Sequence, residues 1–288
     1  MRRLFIFLFL LLSFRSSSEV PTLEGCDAIY VINLDRTPKR FDFMKEQFQK
    51  DGIKNYVRFS AVDGYGVQLV DKFTGEIIVG KEAMSAVREY TWAKRQVLYR
   101  VDYGEKYKDA AFDLFVKYRK FSAGEIGVTF SHRAIWREVV KNNCKNVIIF
   151  EDDVTLLKDF RKDVVELIRH IPADADITFI GVGRRRDKAV FFPNIDNIFR
   201  DLDHVEGNDW VAKIEPTNLV YGMYAYIISA EGAKKLLKLT DRCEFPLDDI
   251  IFQQGGVNTG IIKAYVSKKK MCYPTLENSE IKKMGRPF

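Results

Sequence analysis

Three consecutive carboxylates near the middle of the chain are the residues best suited to chemistry. Glu151, Asp152 and Asp153 directly follow the apolar run 147–150, whose length and β-branched residues predict a buried, parallel strand. The end of such a strand lies at the sheet edge where open α/β proteins bind ligands, and in extended chain Glu151 and Asp153 point the same way. Their oxygens suit a hard divalent cation that could neutralise a departing diphosphate. The alternative is an acidic loop in which Asp153 caps the next helix.

The elements that must position these carboxylates alternate between strand and helix. Strands are predicted at 28–32, 56–61, 147–150, 177–180 and 224–228, and helices at 38–50, 128–142, 159–171 and 230–239. The first strand, helix and second strand form a βαβ unit, which is right-handed in nearly all proteins. We therefore expect an α/β fold with a mainly parallel sheet flanked by helices, in one domain over residues 19–288. Residues 65–121 interrupt the pattern, and we predict a helical insertion there.

Composition excludes several classes of protein. With 47% hydrophobic and 30% charged residues, the 288-residue chain has the composition of a folded globular domain rather than a disordered or fibrous one. The net charge of +6 favours an anionic ligand. The sequence has no repeat of basic and aromatic residues, so nucleic acid is not an expected partner.

The N-terminus has the pattern of a secretory signal peptide. Arg2 and Arg3 precede the apolar stretch 4–12, and the small residues 16–18 follow it. The stretch is shorter than the roughly 20 residues of a membrane span, so residues 1–18 are predicted to be a signal peptide, with a short membrane anchor as the alternative.

The cysteines leave the redox state open. The chain has 4 of them, Cys26, Cys144, Cys243 and Cys272, and no CxxC pair that would indicate zinc. In an oxidising lumen they could form up to two disulfides, in any of three pairings, and in the cytosol they would be free thiols.

Six short motifs occur in an order that resembles glycosyltransferase family 25, which includes bacterial lipooligosaccharide galactosyltransferases and animal collagen galactosyltransferases. They lie at 30–36 with Arg40, 60–64, 124–136, 150–154, 224–233 and 246–249. The resemblance implies a GT-A-like fold, a UDP-sugar donor and a divalent metal, most often manganese, with magnesium as the alternative. The chain departs from the family in the long stretch 65–123, in Val128 where cysteine is frequent, and in Thr37-Pro38, which interrupts a run of arginines.

The resemblance makes the metal site the favoured interpretation of the acidic triplet. Asp153 is expected to contact the metal directly, and Glu151 to contact the metal or the ribose. Asp152 is the third candidate ligand.

Four residues near the first two strands are expected to bind the nucleotide. Asn33, Arg36 and Arg40 follow the first strand, and the forked guanidinium donors suit phosphate. The alternative for the two arginines is a surface charge pair on a helix. Asp63, which precedes Gly64, is expected to bind the uridine, and the alternative is a turn-forming aspartate.

The candidate catalytic residues lie further along the chain. An inverting sugar transfer needs a carboxylate that takes the proton of the acceptor hydroxyl, and Asp248 or Asp249 could supply it, with Asp248 favoured by position. The alternative is a helix N-cap pair after Pro246. His132, in the Ser-His motif, is expected to shape the site or contact phosphate, whereas the alternative is a structural histidine beside the core residue Trp136.

Together these assignments predict a metal-dependent glycosyltransferase that moves galactose from UDP-galactose to a glycan or hydroxylysine-type hydroxyl by one inverting displacement. The alternative is a non-catalytic sugar-binding or adhesion protein that keeps the fold. A nucleotidyltransferase is disfavoured because residues 30–40 contain no glycine. UDP-sugars are imported into the eukaryotic secretory lumen, so we expect the protein in the endoplasmic reticulum or Golgi. If the source is bacterial, the N-terminus would instead associate a cytoplasmic enzyme with the inner membrane.

Overall fold

The structure is a computed structural model that describes residues 23–88, 97–116, 121–184, 207–214 and 220–275. The predicted signal peptide or anchor at 1–18 lies outside these residues. The strands are β1 (Ala28–Asn33), β2 (Tyr56–Ser60), β3 (Gln68–Asp71), β4 (Ile77–Val79), β5 (Val97–Asp102), β6 (Phe112–Val116), β7 (Val147–Glu151), β8 (Val154–Leu156), β9 (Ile177–Arg184), β10 (Val211–Lys213), β11 (Val220–Ile228), β12 (Arg242–Cys243), β13 (Ala264–Ser267) and β14 (Cys272–Pro274).

The helices are α1 (Pro38–Lys50), α2 (Gly80–Arg88), α3 (Ala123–Lys141), α4 (Phe160–His170), α5 (Ala230–Leu239) and α6 (Leu247–Asp249). There are also 3-10 helices at Gly64–Gly66 and Glu105–Ala110 and a π-helical turn at Ile250–Gln254. Within the described ranges, no helix is both long enough and apolar enough to cross a membrane.

The main sheet has seven strands in the order β10-β13-β9-β11-β7-β1-β2, which confirms an α/β architecture. The sheet is mixed, so the mainly parallel character that the sequence predicted is not confirmed. β1 pairs in parallel with β2 and β7, and β13 with β9, but β11 runs antiparallel to both β7 and β9, and β10 antiparallel to β13. The reason is that a continuous apolar run reports burial on both faces of a sheet, and not the direction of the strand.

Helix α3 begins five residues earlier than the predicted start at 128, because a capping box fixes its first turn. The Ser122 hydroxyl accepts from the Glu125 amide across 3.2 Å, and the Glu125 carboxylate accepts from the Ser122 amide across 2.9 Å. Gly124 and Gly127, which resemble loop residues in the sequence, therefore lie inside the helix. This places the first turns of α3 beside the carboxyl ends of β1 and β2.

A second sheet, in the order β12-β6-β5-β3-β4, corrects the prediction of a helical insertion at 65–121. Within the described part of that segment, helical structure is limited to α2 and to short 3-10 turns, and the rest is largely antiparallel strand. The period-two burial of Tyr99 and Val101 on β5, and of Phe112 and Leu114 on β6, identifies strands. In the sequence this alternation is hidden by the charged and aromatic residues that surround it.

The core lies on both faces of the main sheet and extends to the small sheet. Trp136 and Leu236, from α3 and α5, pack on one face, and Phe48 and Leu167, from α1 and α4, pack on the other. Phe130 continues the core from α3 to the small sheet. Helix α3 therefore serves both sheets.

Arg133 on α3 is fully buried and bonds several elements together. Its guanidinium donates to the carbonyls of Ala110, Ala111 and Leu237, to the Thr240 hydroxyl and to the Asp241 carboxylate. Burial lowers the pKa of Arg133, but five recorded bonds satisfy its N–H groups. We call this set of contacts the Arg133 clamp.

All four cysteines are free in the structure. Cys26, Cys243 and Cys272 are buried, and burial raises the pKa of Cys26 and Cys243 to about 12. Cys144 is only partly buried. Of the two alternatives that the sequence left open, the structure therefore has the free thiols.

Candidate active site

A cleft opens at the carboxyl edge of β1, β2 and β7. Charged groups from Arg40, Asp63 and the acidic triplet line the cleft. Small or apolar residues also line it, from the end of β1, from Ala61, Val62 and Gly64 after β2, and from the first turns of α3. The cleft thus offers contacts both for an apolar or aromatic group and for charge.

The segment after β2 lies against α3 without room for side chains between them. A Cβ atom on Gly64 would overlap the Ala123 carbonyl, and one on Gly127 would come within 2.5 Å of the Val62 carbonyl oxygen. Ser131 fixes the contact, because its hydroxyl accepts from the Val62 amide across 2.9 Å and donates to the Gly127 carbonyl across 2.7 Å. These contacts hold the loop that carries Asp63 at the cleft.

Asp63 has a local structural role as well as a place in the cleft. Its carboxylate accepts from the Tyr65 amide across 3.1 Å, which is the turn-forming role expected as the alternative. It also forms an ion pair with Arg36, with 3.1 Å between Nη1 and Oδ2. Arg36 is thereby held beside the cleft, with 37% of its side chain exposed.

Asp152 and Asp153 are joined by one guanidinium. Arg40 on α1 contacts the Asp152 carboxylate and lies 3.1 Å from Oδ2 of Asp153. Burial is the main reason that the pKa of Asp152 is raised to about 6, although Arg40 and a hydrogen bond from Asn33 oppose the rise. Arg40 therefore supplies positive charge at the place where the sequence predicted a metal.

The side chain of Asn33 is hydrogen-bonded to Asp152. Its side-chain amide donates to Asp152 across 2.6 Å and to the Thr37 carbonyl across 3.0 Å. The orientation of the amide is fixed from the other side, because Arg58 donates to the Asn33 oxygen across 2.8 Å. Asn33 is 1% exposed, so it lies behind the acidic triplet rather than on the surface of the cleft.

Glu151 lines the cleft and has His132 behind it. The His132 Nε2 atom lies 3.7 Å from the Glu151 carboxylate, and the imidazole is fully buried. Burial lowers the pKa of His132 to about 3, so the ring is neutral. Burial, and then the charge of Asp152, raises the pKa of Glu151 to about 7. The interpretation of His132 as a group that shapes the site fits its burial better than direct contact with phosphate.

Asp248 is held at the same edge of the sheet by an irregularity in β11. The pairing of β11 with β9 shifts register between Tyr221 and Ala225, and Gly222 there has φ of 84°. The Gly222 amide donates to Asp248 across 3.2 Å, and the Asp249 amide donates to it across 3.1 Å. The charge of Asp248 contributes to the raised pKa of Glu151. Pro246, and not either aspartate, occupies the N-cap position of α6.

The predicted metal ligands have other partners in this arrangement. Among the described residues, no group of three or more His, Cys, Asp or Glu side chains converges as a cation would require. Asp153 does not cap a helix either, because α4 begins at Phe160 after Asp159. The side chains that would ligate a metal are instead bound to Arg40, or lie against His132.

The structure brings most of the predicted residues together. Those that line the cleft are Arg40, Asp63, Glu151, Asp152 and Asp153. Asn33 and His132 lie behind them, Arg36 reaches the cleft through Asp63, and Asp248 and Asp249 lie on α6.

Several contributors to the site had no predicted role. Gly64, Gly127 and Ser131 fix the cleft wall, and Tyr226 bonds to His132. Gly127 and Ser131, four residues apart, do share one face of a helix, which could have indicated a close contact. Tyr226 could not have been identified, because its strand pattern does not reveal what its hydroxyl contacts.

Comparisons with known proteins match most of the chain to one family. The family model described as glycosyltransferase family 25 (LPS biosynthesis protein) matches residues 26–251. A Drosophila melanogaster protein named "Glycosyltransferase 25 family member" is 29% identical over 225 residues, which are 78% of this chain and 29% of the relative.

Two human relatives differ in what their names state. "Procollagen galactosyltransferase 2" is 26% identical over 75% of this chain and 28% of its own length. "Inactive glycosyltransferase 25 family member 3" is 26% identical over 81% of this chain and 32% of its own length. The chain spans about a third or less of the length of these relatives.

Proposed function

The chain belongs to glycosyltransferase family 25, and we propose that it transfers galactose from UDP-galactose to a glycan or hydroxylysine-type hydroxyl by one inverting displacement. The observation that carries the proposal is the convergence of Arg40, Asp63 and the acidic triplet on one cleft at the carboxyl edge of the sheet. The donor sugar follows the name of a relative, and the acceptor class follows the resemblance.

The mixed lining of the cleft supports a nucleotide sugar as the donor. We propose that the uracil ring lies against the small and apolar residues Val62 and Gly127, with the Asp63 loop beside it. The diphosphate then lies toward Arg36, whose forked donors suit phosphate oxygens and stabilise charge on the leaving group. Phosphate binding would exchange the Arg36–Asp63 ion pair for a stronger contact.

The position of Asp248 supports its role as the catalytic base. Two backbone amides, of Gly222 and Asp249, hold the carboxylate without neutralising it. A fixed carboxylate can take the proton of an acceptor hydroxyl while that oxygen attacks the anomeric carbon. The bond to the UDP oxygen breaks in the same step, and the electron pair leaves with UDP.

The divalent metal that the resemblance implies stays a prediction. Glu151 and Asp153 offer oxygen ligands in the cleft, but Arg40 contacts Asp153 in this arrangement. No step proposed here runs through a metal. The GT-A-like arrangement is likewise retained as a proposal.

A purified-enzyme assay tests the proposed function. The protein is incubated with UDP-galactose and acceptors that carry sugar or hydroxylysine hydroxyls, with and without manganese, and the products are measured by mass spectrometry. If Asp153 holds the divalent cation that the resemblance implies, Asp153→Asn should lose most transfer and most UDP binding without unfolding, because the donor would lose that cation's positive charge. Near-normal turnover in Asp153→Asn would contradict the assignment of that residue.

A second candidate function is a sugar-binding protein without turnover. The relative whose name includes "Inactive" favours it, because loss of activity occurs within the family. UDP binding without transfer or donor hydrolysis, across the acceptors tested, would support the second candidate. Any UDP release that Asp248→Ala abolishes would exclude it.

We propose the secretory lumen as the location of the enzyme. The arginine pair, apolar stretch and serines at 2–18 support it, together with the import of UDP-sugars into that compartment.

A further inference from the structure

A buried chain of polar side chains leads from the core to Glu151. The Trp136 indole N–H donates to the Tyr226 hydroxyl oxygen across 2.9 Å, and that oxygen lies 2.7 Å from Nδ1 of His132. The other ring nitrogen, Nε2, lies 3.7 Å from the Glu151 carboxylate. Trp136, Tyr226 and His132 are each 0% exposed. Solvent therefore does not reach these three side chains, which lie behind the Glu151 carboxylate.

The donor and the acceptor of each hydrogen bond among these side chains can be assigned from the chemistry of the residues. Trp136 can only donate, so the Tyr226 oxygen accepts there. Burial raises the pKa of Tyr226 well above its ordinary value, so the hydroxyl keeps its proton. The partner recorded for that hydroxyl besides Trp136 is Nδ1 of His132, and the hydroxyl proton is bonded when Nδ1 is the acceptor. With Nδ1 as acceptor, the one proton of a neutral imidazole is on Nε2.

We propose that the Trp136–Tyr226 pair fixes His132 as its Nε2–H tautomer and that His132 is a positioning residue for Glu151. The Nε2 atom has no hydrogen-bond partner within the part of the chain that the structure describes. A buried N–H favours an acceptor strongly, and a shift of Glu151 by less than about 1 Å would bring its carboxylate into hydrogen-bond range. His132 acts on the donor only through Glu151, so this part rests on the proposed function.

A direct measurement of the tautomer tests the first half of the proposal. The full chain is labelled with ¹⁵N-histidine, and the imidazole nitrogens are observed by NMR near pH 7. The chain has only 3 histidines, so the His132 signals are identified by their loss in His132→Gln. We expect a protonated Nε2 and an unprotonated Nδ1. A proton on Nδ1 would overturn the proposal, and no transfer activity is needed for either result.

UDP affinity tests the second half, with a matched control. Tyr226→Phe removes the hydroxyl, on β11, that anchors His132. Thr129→Val instead removes a buried hydroxyl on α3, the helix that carries His132, where it is bonded to the Glu125 carbonyl. We expect UDP to bind about 3–10-fold more weakly to Tyr226→Phe and unchanged to Thr129→Val, measured by calorimetry. Equal affinities for the two folded variants would reduce Tyr226 to a packing role and overturn the proposal.

A second pair of variants addresses His132 itself. Gln can still donate an N–H toward Glu151, and Leu cannot, so His132→Gln should keep more UDP affinity than His132→Leu. Equal affinity in the two would contradict the positioning role. If wild-type protein fails to bind UDP, the proposed function fails, and the NMR measurement alone decides the tautomer.

Discussion

Asn33 donates its side-chain amide to Asp152 across 2.6 Å and so joins two motifs that lie 119 residues apart in the chain. The hydrogen bond connects the last residue of β1 to the acidic triplet, which begins at the last residue of β7. Both partners are buried. Asn33→Ala should lower the free energy of unfolding by about 1–3 kcal/mol, because it leaves a buried carboxylate short of a donor. Urea unfolding measures this. Ser60→Ala, which removes an exposed bond to Asp35, should change stability by less than about 0.5 kcal/mol.

Stability should fall as the pH rises from about 4 to about 7. The pKa of Asp152 is raised from 3.8 to about 6 and that of Glu151 from 4.5 to about 7, so the folded protein holds protons that the unfolded chain releases. This stabilisation is complete below the unfolded pKa values and is lost through the folded ones. A pKa raised from 3.8 to about 6 corresponds to about 3 kcal/mol. Urea unfolding of metal-free protein at several pH values should show a smaller slope in Asp152→Asn, and an unchanged slope would refute the assignment.

Arg40 and a divalent cation should compete for the same carboxylates. Arg40→Gln should destabilise the metal-free protein by about 2–4 kcal/mol, because two largely buried carboxylates lose their counter-charge. Arg36→Gln, which breaks a more exposed pair, should cost no more than about 1 kcal/mol. Calorimetry with Mn²⁺ should show tighter binding to Arg40→Gln than to wild type. If the affinity does not change, the metal binds elsewhere, and if EDTA leaves transfer intact, the reaction needs no metal.

Asp248→Ala should separate turnover from donor binding. A base acts only when the acceptor is attacked, so kcat should fall by roughly 10²–10⁴-fold while UDP affinity changes little. Asp249→Ala is the matched control, since the Gly222 amide donates to the carboxylate of Asp248. A comparable loss of kcat in both variants would mean that the reaction depends on the structure of α6 and not on the Asp248 carboxylate. Loss of UDP affinity in Asp248→Ala would move that residue to the donor site.

The N-terminal residue of the mature protein and the oxidation state of its cysteines should show in which cellular compartment the protein resides. Protein from the secretory pathway should begin at Glu19 or a near neighbour, which N-terminal sequencing can establish. The sequence predicted that a lumenal protein would have some oxidised cysteines, but the structure has four free thiols, three of them buried. Thiol counting on the native protein should therefore detect Cys144 first. An intact Met1 with four free thiols would reject the lumenal location.

The positions of the strands around the cleft were predicted from the sequence far better than the directions in which those strands run. Residues 28–32 and 147–150 identified β1 and β7, because short apolar β-branched runs specify buried strands. The antiparallel course of β11 left no local trace, since strand direction depends on distant connections.

Within the site, residue types predicted which side chains lie in the cleft better than they predicted which atoms those side chains contact. Asp153 and Arg40 do lie in one cleft, but their mutual ion pair depends on how α1 packs, which no local pattern encodes. The same holds for Tyr226, whose hydroxyl meets His132 only in the folded protein.

The Arg133 clamp has a consequence for how the protein unfolds and how it can diverge. Its guanidinium is bonded to segments on both sides of α3 and has no access to water. Partial melting of the small sheet would remove the Ala110 and Ala111 carbonyls and leave the buried charge short of acceptors, so we expect both sheets to unfold in a single cooperative transition. Relatives should therefore differ in length at the outer hairpin of β3 and β4, while the segment that enters β6 stays invariant in length.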